Sequence, residues 1–111
     1  VDEDDDAKRA ANEATFREAN ERIREAEREF DPPLERAPFL CECDDVTCRE
    51  LIPLTREEYE AVRRDPTLFA IVPGHSTRGK VVEEHDGAYL TVRKTGVGAA
   101  VARERDARDP R

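Results

Sequence analysis

At 111 residues, 41 % of them charged, the chain amounts to about one small domain with little apolar material to bury. Its net charge of −8, with eleven acids against six bases in the first thirty residues, argues against nucleic-acid phosphates and anionic membranes as partners. No apolar run approaches the roughly 20 residues of a membrane-spanning helix, and Asp2-Glu3-Asp4-Asp5-Asp6 is the opposite of a signal peptide's basic and then apolar start, so a cytoplasmic location is expected.

Residues 1–30 read as an acidic start and an amphipathic helix. From residue 6 onward the composition is dominated by Ala, Glu and Arg, with neither Gly nor Pro, which favours one long helix. Acids at its start suit the positive end of the helix dipole. Phe16, Ala19, Ile23, Ala26 and Phe30 recur three and four apart and form one narrow apolar stripe. That stripe either lies down on the rest of the chain or offers a surface for a protein partner or for self-association. Asp31-Pro32-Pro33 stops the helix and opens a proline-containing linker over residues 31–38.

The remaining core is expected within residues 39–95. At roughly 55 residues it is near the size at which domains need a metal, disulfides or oligomerisation to stay folded. Residues 39–43 are short and apolar enough for a strand, which would set Cys41 and Cys43 on one face. Residues 55–64 make the best-defined helix: Thr55 and Glu58 form a capping box, Leu54 can staple against Tyr59, Tyr59 and Val62 face the core, and Asp65-Pro66 ends it. Residues 68–72, an unbroken apolar run, fit a strand buried on both faces, after which Pro73-Gly74 turns the chain and delivers His75. Residues 80–94 read as a hairpin about a two-residue Asp86-Gly87 turn, with Val81 opposite Val92, Glu83 opposite Leu90 and His85 opposite Ala88. Residues 96–111 are too polar to bury themselves and are expected to be a disordered tail. The fold class is then α+β: a long N-terminal helix plus a small module with a three- to four-stranded, mostly antiparallel sheet and one capped helix.

Chemistry concentrates in Cys41, Cys43, Cys48 and His75, a set that suits a closed tetrahedral zinc site. The spacing is unusual, because one residue separates the first two cysteines where two to four is the rule, and four residues separate Cys43 from Cys48. Zinc would tie the first strand to the end of the buried one and supply folding free energy. Two other readings stand beside it. The cysteines are small core residues, with His75 closing a turn, or they form a thiol-based redox switch in a compartment that keeps thiols reduced. Glu42, Asp44 and Asp45 would raise the thiol pKa values and oppose reactivity. His85, at the hairpin tip, is the substitute fourth ligand if His75 points away. A metallo-hydrolase would need an open metal position, and the chain has no His-Glu-x-x-His, phosphate loop or Gly-x-Ser-x-Gly, so no enzyme is expected.

Cys41-Glu42-Cys43 with Cys48, Leu54-Thr55, Glu58-Tyr59-Glu60, Asp65-Pro66, Phe69 and Pro73-Gly74-His75 together resemble an uncharacterised family of small bacterial proteins, mainly actinobacterial. The resemblance covers about half the chain, and the N-terminal helix with Arg17, Asn20 and Glu21 is similar as well. It implies a shared fold and a shared Cys/His site, and no established activity. The functional expectation is a non-enzymatic regulatory or interaction protein with a structural zinc ion, the redox switch being the alternative.

Overall fold

A computed structural model of the chain describes residues 3–30, 32, 34–77, 79–106 and 108. The uninterrupted helix formers at the start become α1 (Glu3–Ala26), closed by a 3-10 turn at Glu27–Glu29. The fold is α+β: the long N-terminal helix, two antiparallel sheets with a short helix after the first, and a C-terminal helix. β1 (Ala37–Leu40) pairs with β2 (Leu51–Leu54), and α2 (Arg56–Val62) follows directly. β3 (Leu68–Ile71), β4 (Lys80–His85) and β5 (Tyr89–Arg93) form the second sheet in the order β3-β5-β4, and α3 (Gly96–Glu104) ends the fold.

The local signals that were strongest in the sequence are realised. The hydroxyl of Thr55 accepts from the amide of Glu58 at 3.0 Å and the Thr55 amide donates to the Glu58 carboxylate at 2.8 Å, closing both halves of the capping box. Tyr59 and Val62 are buried, and the Tyr59 ring stacks on Phe39 with centroids 4.2 Å apart. Every residue of β3 is buried. The hairpin does turn at Asp86-Gly87, both at positive φ, with the amide of Ala88 donating to His85 O at 2.9 Å, but Ala88 joins the connection, which has three residues where two were expected.

Several expectations are corrected. The first strand starts at Ala37, inside the expected linker, and ends at Leu40, so residues 41–43 lie beyond it. Its partner β2 was not foreseen: it contains Pro53, which faces Pro38 across a two-stranded pair whose outer edges need no donor. The expected single sheet is therefore two. Val81 does pair with Val92, but Val82 is an extra residue in a bulge, so Glu83 meets Thr91 and His85 meets Tyr89. The tail expected to be disordered contains α3, which lies against α1 with Ala99 and Ala102 buried; small residues let the two helices approach closely.

The largest correction concerns α1. Ala10, Glu13, Ala14, Arg17 and Asn20 are its buried face, about a third of a turn from the apolar stripe. Of that stripe, Phe16, Ala19 and Ile23 are half-buried while Ala26 and Phe30 are exposed. The reason is that the docking is made by hydrogen bonds. Arg17 donates to Pro66 O at 2.5 Å and to Ala102 O at 2.6 Å, with its guanidinium 4.7 Å from the centre of the Phe69 ring. Asn20 donates to Leu40 O at 2.9 Å and accepts from the Leu40 amide at 2.7 Å, matching the main chain as a neighbouring strand would. Glu13 pairs with Lys94, both almost wholly buried, and Thr77 bonds to the two of them.

Replacing Asn20 by Ala leaves the Leu40 amide and carbonyl and one oxygen of a buried carboxylate without partners. Urea unfolding of Asn20→Ala is expected to show a loss of about 2–3 kcal/mol. Stability equal to the wild type would contradict this account of how α1 docks.

Candidate metal centre

The site is assembled from two chain segments. The first leaves β1 at Leu40 and runs through Cys41 and Cys43 to Cys48. It remains extended at first, held by the Glu42 amide donating to Ala70 O at 2.8 Å on β3 and the Cys41 amide donating to Glu50 O at 3.1 Å. It then turns on Asp45, whose carboxylate accepts from the Thr47 amide at 2.9 Å and whose carbonyl accepts from the Cys48 amide at 2.9 Å. The second segment follows β3: the His75 amide donates to Val72 O at 3.1 Å across a turn that requires Gly74, at φ +87°.

These turns bring one ligating atom from each of Cys41, Cys43, Cys48 and His75 within 4.8 Å of one another, so the four residues could hold a metal ion. His75 Nδ1 lies 3.5 Å from Cys41 Sγ and 3.6 Å from Cys48 Sγ. With metal–sulfur bonds of about 2.3 Å and metal–nitrogen bonds of about 2.05 Å, a sulfur–nitrogen edge of a tetrahedron measures about 3.6 Å. The two nitrogen–sulfur separations match that edge.

Cys41 and Cys43 are buried, whereas Cys48 and His75 form a partly exposed rim. Burial pushes both buried thiols up; amide donors oppose it, Val72 N–H on Cys41 and Asp45 N–H on Cys43, while Cys43 and Cys48 raise Cys41 further, and Cys43 is raised by Cys48 and lowered by its hydrogen bond with Cys41. The acids expected to raise them are turned away. Glu42 accepts from the Ala70 amide at 2.9 Å and from Asn20 at 2.8 Å, and the Asp44 carboxylate takes Arg9 at 3.3 Å. A metal stands in for the proton at each sulfur, so the same cluster is compatible with a metal site or with a redox-active thiol group.

His75 occupies the fourth position. His85, expected as its substitute, instead stacks on Tyr89 with centroids 4.0 Å apart and has Nε2 2.9 Å from Thr91 Oγ1. Two residues that the sequence did not assign complete the surroundings. Glu50 places Oε2 2.5 Å from His75 Nε2. Asn20 reaches the segment from α1. Glu50 stands two residues after Cys48, and only the antiparallel return of β2 sets it beside the Pro73-Gly74-His75 corner.

No family model matches the chain, and no curated protein or solved structure does either. The site is therefore read from its own geometry.

Cobalt(II) added to reduced, metal-free protein is expected to give the visible absorption of a tetrahedral thiolate site at one equivalent, lost in Cys41→Ser and kept in His85→Ala. A colourless titration, or one abolished by His85→Ala, would contradict the assignment of these ligands.

Proposed function

We propose that Cys41, Cys43, Cys48 and His75 hold one structural zinc ion in a non-enzymatic interaction protein. The observation that carries the reading is the convergence of three sulfurs and one imidazole nitrogen, from two chain segments, within 4.8 Å of one another, with both His75 Nδ1–sulfur separations from Cys41 and Cys48 at the length of a tetrahedral edge. Three thiolates and one imidazole are a zinc set, and four protein ligands leave no position for the water that a hydrolytic metal requires. Zinc would join the end of β1 to the turn after β3, which are otherwise linked by backbone bonds through Glu42 and Asp44. For a core of this size such a link contributes directly to folding.

The partner we infer is a second copy of the chain, paired antiparallel along the exposed side of α1. The stripe alternates large and small: Phe16, Ile23 and Phe30 against Ala19 and Ala26. Antiparallel pairing sets Phe30 against Ala19 and Ile23 against Ala26 of the other copy, large into small at these layers. In that same register Arg22 faces Glu29 of the second copy, and Glu29 faces its Arg22, all of them exposed. Phe30, 52 % exposed, gains most by being covered.

Native mass spectrometry of protein purified without a metal-chelating tag tests both parts. One zinc per chain with three reduced thiols is expected, together with a dimer that Phe30→Ser returns to monomer while keeping its zinc. Folded, metal-free protein with three free thiols would contradict the zinc reading, and wild-type monomer across a concentration series would contradict the partner. A thiol switch on Cys41, Cys43 and Cys48 is the alternative; it requires mild peroxide to lower the thiol count and change the dimer population reversibly.

A further inference from the structure

His75 offers its two ring nitrogens to different partners. Nδ1 faces the sulfurs of Cys41 and Cys48, and Nε2 faces the carboxylate of Glu50 at 2.5 Å. A carboxylate at neutral pH only accepts, so that contact requires a proton on Nε2. With the proton there, the lone pair of a neutral imidazole is on Nδ1, directed into the cluster. Its side chain is 26 % exposed, and its corner is held by the His75 amide on Val72 O and by the Asp44 amide on Ser76 O.

We propose that Glu50 is the positioning residue of this centre: it fixes the His75 tautomer and ring orientation so that Nδ1 completes the ligand set. The inference rests on the zinc reading above. Carboxylate–histidine–metal arrangements of this kind raise the basicity of the ligating nitrogen and reduce the freedom the ring loses on binding. Glu50 is well placed for the role because its main chain is already tied to the site. Its carbonyl accepts from the Cys41 amide at 3.1 Å, and Leu51, the next residue, pairs with Leu40 across β1 and β2. The main chain of Glu50 is therefore fixed relative to that of the first cysteine. The Glu50 side chain is 58 % exposed, so its loss leaves no buried group without a partner.

The test is zinc affinity of the full chain, measured by competition with a chromogenic chelator, beside nitrogen-15 spectra of the histidine rings. Glu50→Ala is expected to weaken zinc binding about 10–100-fold while leaving the unfolding midpoint of the metal-free protein unchanged. Glu50→Gln, which keeps an acceptor oxygen, is expected to recover most of the loss. Zinc-loaded wild type should carry the His75 proton on Nε2. A Glu50→Ala protein that binds zinc as tightly as the wild type overturns the positioning role and leaves the zinc site standing. Zinc-loaded wild type with the metal on Nε2 does the same. A wild-type chain that takes up no zinc overturns both.

Discussion

The five-residue segment from Leu40 to Asp44 is the constraint on which the rest of this structure depends. Its residues alternate as in a strand: Cys41 and Cys43 face the cluster, while Leu40, Glu42 and Asp44 face the scaffold. Leu40 and Glu42 are held by Asn20 of α1, Glu42 also by Ala70 of β3, and Asp44 by Arg9 and Asn12 of α1 and, through its amide, by Ser76 O. Beyond His75, Thr77 is bonded to Glu13 of the same helix. The one-residue spacing of the first two cysteines, odd for a site built on a tight turn, is what an extended ligand segment requires. Because α1 holds the residues between the cluster cysteines, docking of the helix fixes the backbone that presents them.

A chain this rich in charge builds its interior partly from ions. Arg17, Glu13, Lys94, Glu42 and Arg63 are all buried, and each has partners: carbonyl oxygens for Arg17, Glu13 for Lys94, an amide and Asn20 for Glu42, Asp106 and Glu21 for Arg63. Tyr59 donates to Glu21 at 2.5 Å, joining α2 to α1, and Arg63 after α2 pairs with Asp106 just beyond α3. Buried pairs of this kind add little net stability against an apolar replacement, but breaking one is costly. Their effect here is geometric. They define one arrangement of α1 over the sheets, which an apolar stripe between two smooth surfaces would not.

This is also why the sequence was legible in some places and not in others. Thr55 and Glu58, Asp86 and Gly87, and residues 68–72 carry their information within a few positions, and the structure agrees with each. The four cluster residues were legible as a set because the chain has only three cysteines and two histidines, and the Pro73-Gly74 turn pointed to His75 over His85. The buried face of α1 was not, since Arg17, Asn20 and Glu13 look like solvated residues until their distant partners are known. α3 was missed for the same reason: Ala99 and Ala102 bury little by themselves and need α1 beside them. Pro53 concealed β2, and with it the return that carries Glu50 to His75.

The central claim is that these four side chains take one metal into a closed site of three sulfurs and one nitrogen. X-ray absorption at the zinc edge of the purified protein measures that coordination directly. The expected result is one zinc per chain with three sulfur neighbours at about 2.3 Å and one nitrogen at about 2.0–2.1 Å. A first shell of oxygen and nitrogen alone, or a light neighbour in place of a sulfur, would contradict the site described above.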